Sequence, residues 1–193
     1  MDKKRAPLYI GLVHYPVYNK RMEIINTSIT NLDLHDLARV AASYELDGYF
    51  VIQPLPGQVE IARRIIKYWQ SGQGARYNPD RQRAFTTIHL VSSVAEAEEK
   101  IREKEGTRPR VVVTDARLYP NSIGYRELRK QLEEEVNPYL ILFGTGWGLA
   151  EEIMLKADYI LEPIYGVGNY NHLSVRSAVS IIIDRLCGEK WWK

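Results

Sequence analysis

The chain has 193 residues, 45% hydrophobic and 26% charged, with a formal net charge of +2. A chain of this size buries most of its apolar surface in one core, so a single domain over residues 1–193 is expected, and no stretch approaches the roughly 20 apolar residues of a membrane span. One cysteine, Cys187, and four scattered histidines exclude an internal disulfide and offer no Cys/His spacing for a tetrahedral metal site. The lead Met1-Asp2-Lys3-Lys4-Arg5-Ala6-Pro7 lacks the apolar core of a secretory signal, which predicts a cytoplasmic protein with no membrane or metal partner.

Along the chain, apolar β-branched runs alternate with segments of helical period, the pattern of a parallel sheet covered by helices. Strands are predicted at Leu8–Val13, Tyr49–Gln53, Phe85–Val91, Arg110–Thr114, Tyr139–Phe143 and Tyr159–Leu161. Most are near-continuous apolar runs, as strands buried on both faces should be. Between them, Leu34, Leu37, Ala38 and Ala41 recur at helical spacing, as do Ala62, Ile65, Ile66 and Trp69, and then Val94, Ala97 and Ile101. Ser93-Val94-Ala95-Glu96 has the pattern of a capping box. Val175, Ala178, Val179, Ile182, Ile183 and Leu186 form a wide apolar stripe on a last, deeply packed helix.

Ser71 to Arg83 is the one long connection, with Gly72, Gly74 and Tyr77-Asn78-Pro79-Asp80, and it is expected to be a mobile loop. It overlaps the most basic window of the chain. Arg63, Arg64, Lys67, Arg76, Arg81 and Arg83 stand there against Asp80 alone, interleaved with Tyr68, Trp69 and Tyr77. Cations for phosphates and rings for stacking make an RNA surface, with Arg64, Arg76, Arg81 and Arg83 as the contact residues. A solvated helix face is the simpler alternative.

In open parallel sheets ligands sit at the carboxyl ends of the strands, where backbone amides and helix N-termini face outward. The segments there are His14-Tyr15-Pro16, Thr114-Asp115-Ala116-Arg117, Gly144-Thr145-Gly146-Trp147-Gly148 and the run from Glu162 to His172. A dinucleotide fold is a rival reading, with Glu162 in place of its ribose-binding acid. The spacing is nevertheless G-x-G-x-G rather than G-x-G-x-x-G, and it lies far from the first strand–helix unit.

A Gly-Thr-Gly turn after a strand, the strand end Leu161-Glu162-Pro163-Ile164, and Tyr170-Asn171-His172-Leu173-Ser174-Val175-Arg176-Ser177-Ala178 opening a terminal helix together resemble the knotted half of SPOUT methyltransferases. The chain is most similar to the RNA methyltransferase domain found alone or joined to bacterial tRNA guanine methyltransferases. The resemblance extends over nearly the whole chain, including Asn26 to Asp36 and Tyr77 to Arg81. It implies a three-layer α/β/α fold with a trefoil knot in roughly residues 108–187, and S-adenosyl-L-methionine held by three loops. The first is Thr114, Asp115, Ala116 and Arg117. The second is Gly144, Thr145 and Gly146. The third runs through Leu161, Glu162, Pro163 and Ile164 to Tyr170, Asn171, Leu173 and Ser174. The implied activity is methyl transfer to a nucleotide of structured RNA, tRNA or rRNA.

Some SPOUT relatives place an arginine in the first helix after an Asn-x-Gly start. Arg39 falls at that arginine's place, but the start here is Asp33-Leu34-His35. His35 and Asp36 are then further candidates for the catalytic base, and His14 for the substrate side, while His172 is read as bonding backbone at the helix start. The family and the aromatic residues Trp147, Trp191 and Trp192 point to a homodimer. The altered first-helix motif leaves a second reading open: a noncatalytic RNA-binding or assembly domain that keeps the fold.

Overall fold

The computed structural model of the protein describes residues 5–168 and 170–189, so Trp191 and Trp192 lie outside the described residues. Strands β1 (Leu8–Val13), β4 (Gly48–Ile52), β5 (Ile88–Val91), β6 (Arg110–Thr114), β7 (Ser122–Ile123), β8 (Tyr139–Gly144) and β9 (Tyr159–Leu161) form one sheet in the order β5-β4-β1-β8-β6-β9-β7, while β2 (Val17–Tyr18) and β3 (Ile24–Ile25) make a separate hairpin. Every pairing in the large sheet is parallel. Strand period decides its two faces. Leu8, Ile10, Leu12, Tyr49, Val51, Val112, Ile141 and Phe143 point into one core, and Tyr9, Val13, Phe50, Ile52, Val111, Val113, Leu140 and Leu142 into the other.

The first face is covered by α1 (Asn31–Ser43), α2 (Pro56–Ser71), α4 (Pro79–Phe85), α6 (Tyr125–Glu134) and α8 (Val175–Cys187), and the second by α5 (Val94–Glu105) and α7 (Glu151–Lys156). This is the expected three-layer α/β/α arrangement. The stripe read for α8 buries Val179, Ile182, Ile183 and Leu186, each contributing about 2 kcal/mol. Its first turn is only partly buried, Val175 packing at the edge of the core. Val175 and Ala178 also line a cavity.

Three local readings change. Residues 71–83 are not a loop: α3 (Gln73–Tyr77) and α4 fill them, Asn78 caps α4 by accepting from the Arg81 amide at 2.9 Å, and Pro79 opens it. Gly74 and Ala75 are buried in α3, because a side chain at Gly74 would collide with Tyr68 and Trp69. Phe85 accordingly ends a helix and does not begin a strand, packing its ring against His35 and Trp69. At Ser93 only half a box forms. Ser93 Oγ accepts from the Glu96 amide at 3.1 Å, but the Glu96 carboxylate takes the amide and hydroxyl of Ser92.

The reciprocal box belongs to α1. Thr30 Oγ1 accepts from the Asp33 amide at 3.1 Å, and Asp33 Oδ2 accepts from the Thr30 amide at 3.3 Å and hydroxyl at 2.6 Å. Asp33 is thus a buried helix-start carboxylate, and Arg176 of α8 approaches it to 3.9 Å. We expect Thr30→Ala to lower unfolding free energy by about 1 kcal/mol in urea titrations, with a further loss where the buried Asp33 carboxylate is left short of partners.

Candidate functional site: a cavity at the carboxyl ends of β6, β8 and β9

The sheet levels its strand ends. Val13 pairs with Gly144 at the top of β1 and β8, and Thr114 with Leu161 at the top of β6 and β9. The turns that follow therefore meet. They enclose a cavity of about 820 Å³, within the range of small-molecule sites. Its walls include Phe143 of β8, Ile164 and Leu173 of the third turn, and Val175, Ala178 and Ile182 of α8.

Each turn is held by its own chemistry. In the first, Asp115 accepts from Arg117 through its amide (2.8 Å), Nε (3.1 Å) and Nη2 (2.8 Å), and from the Tyr119 hydroxyl (3.2 Å). Burial pulls the Asp115 carboxyl upward, but the Arg117 and Tyr119 bonds outweigh it and hold the group below the usual aspartate value. The second turn folds back with Gly146 at φ +61° and Gly148 at φ +107°, conformations open to glycine. A side chain on Gly146 would also meet the Tyr18 carbonyl at 2.7 Å. In the third, Glu162 Oε1 accepts the Tyr125 amide at 3.0 Å, capping α6 where Gly124 offers no side chain. Asn171 Nδ2 then donates to the Ala116 carbonyl at 2.6 Å, tying the third turn to the first.

The chain matches the family model described as SAM-dependent RNA methyltransferase over residues 7–188. It belongs to that family. It is 46% identical over 179 residues to an uncharacterized protein of Aquifex aeolicus, covering 93% of this chain and 87% of that one. A tRNA (guanine-N(1)-)-methyltransferase of Oleidesulfovibrio alaskensis is 41% identical over 182 residues, which is 94% of this chain but 42% of that protein. Among solved structures, the A. aeolicus TrmH/SpoU tRNA modifying enzyme superposes with a TM-score of 0.54 at 16% identity, over 95% of this chain and 75% of that one. These findings bear out the SPOUT resemblance and remove the dinucleotide-fold rival.

The lining fits S-adenosylmethionine chemically. Apolar walls suit an adenine, and two carboxylates, Asp115 and Glu162, suit a ligand that carries a sulfonium and an ammonium. Of the residues read as cofactor-binding, Thr114, Asp115, Ala116, Gly144, Thr145, Gly146, Glu162, Pro163, Ile164, Tyr170, Asn171, Leu173 and Ser174 all line the cavity. Leu161 does not. Fully buried, its side chain is taken up by the core on the α1, α6 and α8 side of the sheet. His172 also lines the cavity, edge-on to Tyr170 at 5.7 Å, and does not supply the bond expected of it at the helix start. There Ser174 Oγ caps α8 through the Ser177 amide at 3.3 Å.

None of the catalytic candidates lines this cavity. The His35 ring packs edge-on against Trp69 (5.2 Å) and Phe85 (4.7 Å), where burial and then the Arg81 charge lower its pKa. Asp36 approaches Arg176 at 3.5 Å. Arg39 is exposed and lines a separate groove of about 540 Å³ between α1 and α8, which shares Ser174 with the cavity.

The RNA candidates divide. Arg64 pairs with Glu60 at 3.0 Å on exposed α2, and Arg76 and Arg83 are exposed on α3 and α4. Arg81 is turned inward, its guanidinium 4.9 Å from the Trp69 ring and its Nε buried.

His14 is also interior. Fully buried, it shares Nδ1 with Thr27 Oγ1 at 3.0 Å, and Thr27 in turn meets Thr145 Oγ1 of the second turn at 2.5 Å. It supports the turn from below and does not line the cavity. Burial lowers its pKa to about 4, with Asp33 opposing. The unfolded chain, with a pKa near 6.5, takes up this proton first, so the stabilisation is complete above about pH 6.5 and is lost as pH falls toward 4. For wild type, urea titrations at pH 7 and pH 4 are expected to differ by roughly 3 kcal/mol from this group. That part of the difference disappears in His14→Gln.

Proposed function

We propose that this chain binds S-adenosylmethionine in the 820 Å³ cavity and transfers its methyl group to a nucleotide of structured RNA, a tRNA or an rRNA. The carrying observation is that three turns distant in sequence converge on one partly apolar cavity in a member of an RNA methyltransferase family. Relatives named tRNA (guanine-N(1)-)-methyltransferase favour tRNA. The chain spans 42% of their length, so the guanine-N1 activity in that name belongs to a longer protein.

When bound, the cofactor supplies a methyl group already made electrophilic by its sulfonium. What remains for the protein is alignment and exclusion of water. Phe143, Ile164 and Ile182 supply dry walls, the Glu162 and Asp115 carboxylates place acceptor oxygens at the lining, and the Asn171–Ala116 bond closes the third turn over the first. The resemblance further implies that α8 is threaded through a loop. The strand order β8-β6-β9-β7 and the clasp laid across residue 116 support that reading.

Arg39 belongs to the same reading through a homodimer. The α1–α8 groove that carries it opens next to Ser174, and a second copy seated there would receive Arg39 beside its own cavity. A cytoplasmic location accords with these assignments, and among the described residues no helix is long and apolar enough to cross a membrane.

Isothermal titration with S-adenosylmethionine and S-adenosylhomocysteine tests the core of this proposal. Both are expected to bind; failure of both at millimolar concentration would remove the enzyme reading and leave the noncatalytic RNA-binding or assembly domain. The α2–α4 face is tested separately. Arg64→Glu, Arg76→Glu and Arg83→Glu together should weaken RNA binding and flatten its salt dependence by about one unit of log–log slope for each phosphate no longer neutralised. Filter binding at several salt concentrations measures both.

A further inference from the structure

The hairpin of β2 and β3 stands outside the main sheet. Two residues per strand are too few to hold a hairpin by themselves, and this one is fastened to the second turn of the cavity. The Trp147 amide donates to the Tyr18 carbonyl at 2.8 Å, the Tyr18 amide to the Gly148 carbonyl at 2.9 Å, and Val17 bridges Leu149. Gly146 permits this closure, since any Cβ there would strike Tyr18.

The tip is braced from within. Asn19 Oδ1 accepts the amides of Arg21 (2.8 Å) and Glu23 (3.0 Å), while Asn19 Nδ2 donates to the Glu23 carboxylate at 2.7 Å. Met22 is thereby held at φ +61°, a costly conformation for a side-chain-bearing residue. It lines the cavity while 53% exposed.

Opposite it, Trp147 lines the same cavity and is 58% exposed. The backbone of Trp147 holds the turn, and its ring stacks on no other ring among the described residues. Lys20 and Arg21 are exposed on the tip and form no ion pair among the described residues, while the one acid there, Glu23, is taken by Asn19. The cavity lining thus offers an open indole and a soft thioether, and two uncommitted cations sit next to Met22 in the hairpin tip. An unpaired base has faces to stack and phosphates on either side, and matches all three.

We infer that this surface is the platform for the acceptor nucleotide: its base stacks on Trp147 beside Met22, and the flanking phosphates meet Lys20 and Arg21. The inference rests on the methyltransferase reading, which places the methyl donor in the cavity behind the platform.

The experiment uses the full chain and total RNA from a strain of the source organism lacking it. Ultraviolet crosslinking followed by mass spectrometry should place nucleotide adducts on the peptides carrying Trp147 and residues 20–22. Adducts confined to other segments overturn the inference. Trp147→Ala should weaken RNA binding about tenfold, within the range for removing the ring under one stacked base. Trp147→Phe should restore most of it, Lys20→Glu with Arg21→Glu should weaken it similarly while S-adenosylhomocysteine affinity stays within about threefold, and Trp147→Ala should cost RNA binding far more than S-adenosylhomocysteine binding.

If Trp147→Ala instead weakens S-adenosylhomocysteine as much as RNA, the indole is a cofactor wall and the inference fails. It also fails if RNA binding is unchanged. Should wild-type chain bind no S-adenosylhomocysteine while still crosslinking at Trp147, the platform stands as an RNA site and the methyltransferase reading falls.

Discussion

The architecture depends on the parallel pairing of β1 with β8, residue for residue from Leu8↔Tyr139 to Val13↔Gly144. These segments lie far apart in sequence, so the pairing carries a large loop-closure cost that burial on both faces offsets. Gly11 lies inside this contact because a side chain there would press on Leu142 at 2.8 Å. Level strand ends are the consequence. The turn after β8 starts beside the segment after β1, and Thr145 bonds the Val13 carbonyl through both its amide (3.2 Å) and its hydroxyl (2.9 Å).

From that seam the site is assembled in two directions. Toward β6 and β9 it is closed by polar links between turns, the Asn171–Ala116 clasp and the Glu162 carboxylate that caps α6. Toward β1 it is closed by the zipped hairpin, supported underneath by the buried His14 and Gln53 and the half-buried Thr27 and Asn26. Gln53 Nε2 donates to the Thr27 carbonyl at 2.9 Å, and Asn26 donates to Gln53 at 2.8 Å. The bonds fix the geometry of this layer, although His14 Nε2 and Asn26 Oδ1 are buried without a partner among the described residues.

The carboxylate at Asp33 clarifies the departure from Asn-x-Gly at the first helix. It serves a capping box and faces Arg176 of α8, so the helix start is occupied by fold-stabilising bonds. His35, two residues on, follows the helical period into the aromatic box of Trp69 and Phe85. The His35 ring is packed there, while Asp36 stays at the α1–α8 groove beside Arg39.

The sequence by itself determined the layered fold, the central strands and the three turns that meet at the cavity. Doubly buried strands must be continuous apolar runs, and the turn residues carry family motifs whose spacing is local. It also placed the helix stripes, because period is a local property. Tertiary structure alone decided the rest. Residues 71–83 read as a loop because small and turn-forming residues look alike whether exposed or packed, and only contact with Tyr68 and Trp69 makes Gly74 a helix residue. The Met22 hairpin left no periodic signal, since strands of two residues have none, and Leu161 and Arg81 turned inward through packing partners distant in sequence. Which side chains share a cavity depends on strand order and register, and those are fixed by contacts between segments more than a hundred residues apart.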